Sequence, residues 1–451
     1  MWIMNGKFVT PDGIKSGAME VVGGRIVRFA KKTPSGAETL DVRGRYVLPG
    51  FIEIHTHGAG GFEFTAGRYD TKTAKFLLSE DIYREDLPRY AALRGSTGVT
   101  TLFPGTWAAP EERLRFCWRM LREYMDSSGN GRDGSRIAGG CLEGTFINPE
   151  MSGAQNPAYI RPPDREFFDR LNETGVIRLV NVVPDYGEAA CRLTKHLAAR
   201  GISVGAGHTN GTFDQFRASY DAGLKYCIHF LNGPTGHSYK SFDGGGALEA
   251  VLRLPLFVEI IMDNIHVAPS YVRDVIARKG AERVMAVADA MFLSQASGIR
   301  EFVINGIPGV INEEEGYVYV KGKEKRTLFS SILTMDRAFG NILSHLTKEL
   351  PGVWYERHPA LSFDEAVLSA ARICSTNIAA MLRDRGGLEL ESGALRGGWW
   401  ADFVVGNIGG GPGEYRLDVE DVFVRGVSIM RDRIQGRKAV EGRWGAKLAD
   451  D

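Results

Sequence analysis

The sequence predicts an α/β fold, a (β/α)8 TIM barrel that carries a small β-sandwich domain formed by both ends of the chain. In the middle of the 451 residues, eight short runs rich in Val and Ile alternate with longer helix-patterned stretches. This alternation is typical of βα units and a parallel sheet, and eight strands close a barrel. Both ends of the chain instead show short apolar alternations broken by glycine, which indicates hairpins.

We place the first part of the β-sandwich at 1–48, the catalytic barrel at 49–392 and the second part of the sandwich at 393–451. The strand-like segments of the two ends are Trp2–Met4, Lys7–Val9, Met19–Val22, Arg25–Val27, Ala401–Val405, Val422–Val424 and Val427–Ile429. Asn5-Gly6 and Gly23-Gly24 stand between neighbouring segments, and such pairs are typical of two-residue hairpin turns.

Eight barrel strands are predicted from their apolar runs. They are Phe51–Ile54, Val99–Phe103, Ile137–Leu142, Val176–Val182, Ile202–Ala206, Lys225–Ile228, Phe257–Ile261 and Val284–Ala288. Helices are predicted at Pro110–Met125, Ser270–Arg278 and Phe363–Leu382. Phe302–Lys325 interrupts the helix expected after the last strand, and its Asn305-Gly306 pair predicts a β excursion with Lys321–Lys325 as a solvated tip.

Composition and charge exclude several classes of protein. Lys plus Arg and Asp plus Glu are 55 each, so the net charge of zero argues against a nucleic-acid binder. No apolar run reaches the ~18 residues of a membrane span, and the N-terminus lacks a signal-peptide pattern, so we expect no membrane partner. The five cysteines are scattered and form no CxxC pair. A cytoplasmic location is therefore expected, without a disulfide framework.

Five of the eight predicted strands are followed by side chains that can bind a metal ion. These side chains are His55 and His57, Glu143, His208, His229, and Asp289. Because a barrel carries its active site at the carboxyl ends of its strands, we expect them to meet at one mouth. His55 and His57 are two residues apart, so in an extended segment both imidazoles point to the same side.

Imidazole and carboxylate ligands without a thiolate fit Zn²⁺ or a similar divalent ion. Such an ion lowers the pKa of a water molecule towards ~7 and polarises a carbonyl group. An aspartate beside it can take a proton from that water and return it to a leaving amine. This chemistry points to a hydrolase of amides.

Eight stretches, in order along the chain, resemble the amidohydrolase superfamily and, within it, the N-acetylglucosamine-6-phosphate deacetylase family. They are PGFIEIHTHGAGGFEF (Pro49–Phe64), CLEGTFINPEMSGAQNP (Cys141–Pro157), GAGHTNGTFDQ (Gly205–Gln215), IHFLNG (Ile228–Gly233), MDNIHV (Met262–Val267), VADAM (Val287–Met291), TMDRA (Thr334–Ala338) and GALRGGWWADFVV (Gly393–Val405). The resemblance implies a metal-dependent deacetylase of an N-acetylated amino sugar, first of all N-acetylglucosamine 6-phosphate.

The resemblance also implies a role for each site residue. Glu143, His208 and His229 match the ligands of a principal metal ion, and His55 and His57 match a pair that adds a second ion in some members. One or two zinc ions are therefore expected. The other implied roles are Asp289 as catalytic acid and base, His266 as a contact of the acyl carbonyl, and Asn232 and Gly233 as contacts of the sugar phosphate.

Two of the departures from the family pattern bear on substrate binding. Gln155 stands where relatives usually carry His. Lys240 stands near the place of an Arg that reaches the phosphate from the neighbouring subunit, so a homodimer is implied. Lys lacks the two-pronged geometry with which Arg binds a phosphate. We expect both Gln155 and Lys240 to contact the substrate. A different N-acyl sugar stays open as substrate.

Three further alternatives come from the same residues. A cyclic amide or an N-acyl amino acid could be the substrate, although the cyclic-amidase branch generally uses a carboxylated lysine where Glu143 stands. The third alternative is a scaffold protein that kept the barrel and lost its catalytic activity. Such a chain should have lost ligands or the acid/base, whereas Glu143, His208, His229 and Asp289 are all present.

Overall fold

A computed structural model describes residues 1–232, 244–312, 314–323 and 327–430. We number the eight barrel strands β1 to β8: Phe51–Thr56 (β1), Val99–Thr106 (β2), Gly140–Phe146 (β3), Ile177–Val182 (β4), Ser203–Ala206 (β5), Leu224–Cys227 (β6), Phe257–Ile261 (β7) and Val284–Val287 (β8). Neighbouring strands pair in parallel from β1 to β8. Each overlaps its predicted run, so the predicted barrel is confirmed.

Backbone hydrogen bonds close the barrel between its first and last strands. The Asp289 N–H donates to the His55 carbonyl at 2.8 Å, and the His57 N–H donates to the Ala290 carbonyl at 2.7 Å. Both bonds lie just beyond the strand ends. Closure therefore fixes the backbone that carries three of the predicted site residues.

Helices cover the outside of the barrel. They are α1 (Glu80–Gly95), α2 (Glu111–Met125), α3 (Arg165–Leu171), α4 (Glu188–Ala198), α5 (Phe213–Ala222), α6 (Ala247–Arg253), α7 (Pro269–Lys279), α8 (Met335–Leu346), α9 (Phe363–Ala371) and α10 (Asn377–Arg383). The helix predicted over Phe363–Leu382 is divided by a wider π turn at Arg372–Thr376. Short 3-10 turns lie at Pro149–Met151, Pro157–Tyr159, Pro184–Tyr186, Ala281–Arg283 and Asp384–Gly386.

Both ends of the chain form one small β domain, as predicted. Its strands are Trp2–Thr10, Gly13–Val22, Arg25–Ala30, Thr39–Asp41, Tyr46–Pro49, Phe403–Gly409, Arg416–Val424 and Val427–Ser428, joined in one sheet. They surround a separate apolar core in which Phe8 and Phe423 are buried. The exact domain boundaries stay a prediction, and residues 431–451 of the last segment lie outside the described residues.

The expected hairpin turn at Asn5-Gly6 is wrong. Trp2–Thr10 is a single strand, and its pairing with Gly13–Val22 shifts between Met4 and Gly6 as in a β-bulge. Asn5 has a φ of 58°. A bulge and a hairpin turn can both place Asn in this left-handed conformation, so the local sequence does not separate them.

The loops above the barrel mouth carry small sheets of their own. Strands Gly58–Ala59, Phe62–Glu63, Gly67–Asp70 and Lys75–Leu77 follow β1, while Glu301–Ile304, Ile307–Asn312 and Tyr317–Val320 form the predicted excursion after β8. Two-residue strands also occur at Arg136–Ile137, Leu350–Pro351 and Arg357–His358. The excursion shares an apolar cluster with Trp107, Ala154 and Phe292, and this cluster holds it against the mouth.

Within the described ranges, every helix is too short or too polar to cross a lipid bilayer.

Candidate metal centre and active site

The structure brings the predicted metal-binding side chains together at the mouth of the barrel. The buried carboxylate of Glu143, in the middle of β3, lies at the centre of the group. Its Oε1 is 3.3 Å from Nε2 of His208 and 3.3 Å from Nε2 of His229. Oε1 is also 3.5 Å from Nε2 of His55, and Oε2 is 3.6 Å from Nε2 of His57. Four imidazoles from β1 and the ends of β5 and β6 therefore face one carboxylate.

The outer nitrogens of these rings determine which nitrogen faces the centre. His57 Nδ1 lies 3.2 Å from the Gly105 carbonyl, and His208 Nδ1 lies 2.9 Å from the Met151 carbonyl. A carbonyl only accepts hydrogen bonds, so Nδ1 must carry the hydrogen. In the neutral rings, Nε2 then presents its lone pair to the centre, which is the form that binds a metal ion.

The backbone is unusual at three of these positions. His208, His229 and Asp289 have φ values of 58°, 28° and 48°. Non-glycine residues adopt positive φ uncommonly, and such conformations concentrate at functional sites. Each of the three is the second residue after the end of its strand, so the left-handed turn aims its side chain into the mouth.

Asp289 follows β8 and completes the group. Its Oδ1 lies 3.2 Å from His57 Nε2 and 3.6 Å from His55 Nε2, and it accepts a hydrogen bond of 3.0 Å from the Ser330 hydroxyl. Burial would raise the pKa of Asp289, but the neighbouring His55 and His57 hold it at about 2. Asp289 is therefore ionised at neutral pH and can accept a proton.

The donor set fits a divalent metal ion. Two overlapping groups, His55 with His57 and Asp289, and His55 with Glu143 and His229, place their ligand atoms within 4.8 Å of one another. His55 Nε2 is buried and has no hydrogen-bond partner among the described residues. Burial would raise the pKa of Glu143, but the surrounding histidines, His208 and His229 first, hold it well below its usual range. An anionic centre ringed by imidazole nitrogens suits zinc or a similar ion.

A cavity of about 370 Å³ opens above this centre. His57, Glu143, His208, His229, Asn232, His266, Asp289 and Gln155 all line it, together with Trp107, Ser330 and Lys323. Its size falls at the lower end of the range for small-molecule sites. The structure thus brings eight of the predicted site residues to one cavity, and His55 lies behind its wall.

His266 is held by a residue that the sequence reasoning did not single out. Its Nδ1 is 2.7 Å from Oδ2 of Asp263, and the other oxygen of Asp263 accepts the His266 backbone N–H at 2.8 Å. The carboxylate therefore fixes the ring so that Nε2 is free. Asp263 lies in the loop between β7 and α7, and an Asp three residues before a His in a loop gives no distinctive local signal.

Gln155 lies behind Glu143 with both ends of its amide in use. It donates to Glu143 Oε2 at 2.7 Å and accepts the Ala108 N–H at 2.7 Å. Gly144 has a φ of 74°, and a Cβ atom there would come within 2.5 Å of both the Gln155 amide oxygen and the Ala108 nitrogen. Gln155 is thus placed to orient Glu143, and its predicted contact with substrate stays a prediction.

Gly233 and Lys240 lie outside the described residues, so their expected roles stay predictions. Three other residues at the site were missed. Trp107 stacks on His57 with ring centroids 4.3 Å apart, Lys323 lines the cavity although it was expected in a solvated tip, and Glu259 contacts His55. A Trp after a strand, a Lys in a charged loop and a Glu in an apolar run gave no distinctive pattern.

No family model matches the sequence. The chain is 27% identical over 335 residues to the N-acetylgalactosamine-6-phosphate deacetylase of Escherichia coli O157:H7, across 72% of this chain and 78% of that protein. It is 25% identical over 422 residues to the N-acetylglucosamine-6-phosphate deacetylase of Homo sapiens, across 90% and 87%. The match with the Haemophilus influenzae enzyme of that name, also 25% identical, covers 56% of this chain and 61% of that protein.

Solved structures share the fold. The N-acetyl-D-glucosamine-6-phosphate deacetylase from Mycobacterium smegmatis superposes with a TM-score of 0.75 at 24% identity, across 95% of this chain and 99% of that one. An enamidase of the amidohydrolase superfamily gives 0.55 at 16% identity, across 95% of each chain. These relatives and neighbours confirm the resemblance predicted from the sequence motifs.

Proposed function

We propose that this chain is a metal-dependent hydrolase that deacetylates an N-acetylated amino sugar, first of all N-acetylglucosamine 6-phosphate, to acetate and the amino sugar phosphate. The observation that carries the proposal is the convergence of four imidazole Nε2 atoms on Glu143, with an ionised Asp289 beside them, at the floor of a cavity. The names of the curated relatives supply the substrate class.

Glu143, His208 and His229 would hold the principal ion. His55, His57 and Asp289 would hold a second ion. Zinc is the ion we propose, because the ligands are imidazole and carboxylate without thiolate. Such an ion polarises the acetamide carbonyl and makes a water molecule acidic near neutral pH.

Asp289 acts as the base and then as the acid. Its carboxylate takes a proton from the attacking water, and its low pKa keeps it ready to do so at neutral pH. The protonated form then gives the proton to the departing amine. The Ser330 hydroxyl, 3.0 Å from Oδ1, and the His57 ring hold the carboxylate in place for both transfers.

His266 stabilises the negative charge that develops on the acyl oxygen. Asp263 accepts the Nδ1–H of this ring, so His266 donates from Nε2 into the cavity when the ring is an imidazolium paired with that carboxylate. A donor aimed at the developing charge, rather than at the resting carbonyl, lowers the barrier. Trp107, stacked on His57, excludes water from one wall of the site.

The sugar phosphate would be held by Asn232, Gly233 and Lys240, and by Lys323 of the same chain. Asn232 and Lys323 both line the cavity. We also propose that the protein is a homodimer. Val353 and Trp354 are exposed and leave apolar surface beside a second pocket, which is lined by Trp354 and His266. The five free cysteines support a reducing cytoplasmic location.

N-acetylgalactosamine 6-phosphate is the second candidate substrate, because the relative from Escherichia coli O157:H7 is named for that epimer. The test is acetate release by zinc-loaded protein. The substrates are the two 6-phosphates, unphosphorylated N-acetylglucosamine, an N-acetyl amino acid and a cyclic amide. We expect kcat/KM to be highest for N-acetylglucosamine 6-phosphate. Turnover of the amino acid or the cyclic amide alone would overturn the proposal.

A further inference from the structure

Glu259 is a carboxylate buried inside the barrel, one layer below the proposed metal centre. It lies in β7 and is 1% exposed. Ile261, two residues further along the strand, lines the active-site cavity. Residues two apart in a strand share a face, so Glu259 points into the barrel interior beneath that cavity. Apolar branched side chains normally fill this interior.

The contacts of Glu259 are with two of the proposed metal-binding residues. Its Oε2 lies 2.9 Å from Nδ1 of His55 and accepts the backbone N–H of His229 at 3.2 Å. Across the described part of the chain, no Lys or Arg forms an ion pair with it. Burial of an ionised carboxylate is costly unless charge or hydrogen bonds compensate it. Here the compensation comes from groups that belong to the metal centre.

His55 differs from His57 and His208 in the partner of its Nδ1 atom, which is the carboxylate of Glu259. The Nδ1 atoms of His57 and His208 face neutral backbone carbonyls. A carboxylate accepts the Nδ1–H more strongly and makes Nε2 a better electron donor. The Nε2 of His55 is buried, has no hydrogen-bond partner among the described residues, and points between Glu143 at 3.5 Å and Asp289 at 3.6 Å.

We infer that Glu259 is a positioning residue for a second divalent cation, bound by His55, His57 and Asp289 beside the principal ion. The carboxylate fixes the His55 ring with Nε2 towards that cation, and its bond to the His229 backbone keeps the turn after β6 in register with β1. The inference rests on the proposed function, because it takes the cluster to be a metal site.

The experiment measures zinc binding directly, without substrate. Zinc-free wild-type protein and the Glu259→Gln variant are titrated with zinc in competition with a chromophoric chelator. The stoichiometry is checked by metal analysis after dialysis. We expect two ions per wild-type chain. In Glu259→Gln the principal ion should bind as in wild type, and the second should bind about 10- to 100-fold more weakly.

Two variants calibrate this result. Asp274→Asn is the matched control, because Asp274 is also a buried carboxylate that contacts a histidine ring, His358 at 2.6 Å, and accepts backbone N–H groups. It should retain both ions. His55→Asn removes a proposed ligand of the second ion. It shows how the zinc titration changes when that ion no longer binds.

The inference is overturned if Glu259→Gln binds both ions with wild-type affinity, or if wild-type protein binds one ion only. Circular dichroism of the metal-free proteins checks folding. If Glu259→Gln does not fold, Glu259→Asp is measured instead. It keeps the charge but withdraws it from Nδ1, and it should weaken the second ion more than the principal ion. Acetate release is not part of this measurement, so failure of the deacetylase proposal would be recognised separately.

Discussion

Asp289 is the residue on which the proposed chemistry depends most. Its carboxylate lies beside both His55 and His57, and the Ser330 hydroxyl donates to it. Its side chain is aimed into the mouth by a backbone φ of 48°. The proposed mechanism asks this one group to take a proton and then return it.

Asp289→Asn should bind the principal ion and lose at least 10²- to 10⁴-fold in kcat, because an amide cannot accept the proton. The measurement is the kcat of acetate release, with metal analysis of the same samples. Ser330→Ala, which removes one hydrogen bond and leaves the carboxylate, should lose far less. An Asp289→Asn variant with near wild-type kcat would rule out the assigned role.

Lys323 is the residue for which the structure changes the expectation from sequence. It lies on the loop after Tyr317–Val320, and its Nζ donates to the Gly153 carbonyl at 3.2 Å. The lysine lines the cavity and can swing from this carbonyl to an anionic group of the substrate. A charged loop tip in the sequence gave no sign of this placement.

Lys323→Ala should raise KM for the 6-phosphate substrate about 5- to 30-fold, since a charge-assisted hydrogen bond is worth about 1–2 kcal/mol. The kcat should change little, because the proposed contact is with the phosphate and not with the reacting carbonyl. Lys321→Ala is the matched control, because Lys321 pairs with Glu301 and does not line the cavity. An equal effect of the two variants on KM would contradict the assignment.

At the scale of elements, the barrel strands were predictable and several local details were not. Runs such as Val284–Ala288 are apolar throughout because both faces of a parallel strand are buried, and that composition is visible in the sequence. The left-handed turns at His208 and His229 are imposed by tertiary contacts, so propensity could not reveal them. Glu259 was missed for the same reason, because its partners come from other strands.

The loop that carries His266 is anchored to α8. His345 Nε2 lies 2.7 Å from the Asn264 side-chain oxygen, and Asn264 has a φ of 68°. Burial, with Arg273 nearby, lowers the pKa of His345 to about 4. The folded protein therefore keeps this ring neutral at a pH where the unfolded chain, with a pKa near ~6.5, takes up a proton.

This histidine should make stability fall as pH drops from about 6.5 towards 4, because the unfolded state binds the extra proton. Between pH 7 and pH 4.5 its contribution is on the order of 2 kcal/mol. His345→Gln should lose that much less stability over the same interval. Urea denaturation of metal-free protein at both pH values measures the difference. Equal losses for the variant and wild type would contradict the prediction.

At the scale of the whole molecule, the barrel provides the mouth and the excursion after β8 packs beside it, while the small β domain joins the two ends of the chain. The sheet of the β domain joins both ends of the chain, and the excursion packs on Trp107 and Phe292 beside the site. The mouth holds two carboxylates and four imidazoles in close contact. Only the folded chain brings these ligands together, so a divalent cation would bind the folded state in preference to the unfolded one.

Zinc should therefore stabilise the folded protein. A ligand present at 100 times its dissociation constant adds about 2.7 kcal/mol, so we expect the Tm to rise by several degrees when zinc is added to chelator-treated protein. Differential scanning calorimetry measures the change. His229→Asn, which removes a proposed ligand of the principal ion, should show a smaller rise. No zinc-dependent change in the wild-type Tm would argue against a metal centre.

The most direct test of the central claim is acetate release from N-acetylglucosamine 6-phosphate by one preparation of the protein, assayed after chelation and again after zinc is restored. We predict negligible turnover without metal and full recovery with zinc. Equal turnover in both states would contradict a metal-dependent mechanism, and no turnover in either state, with zinc shown to be bound, would contradict the substrate assignment.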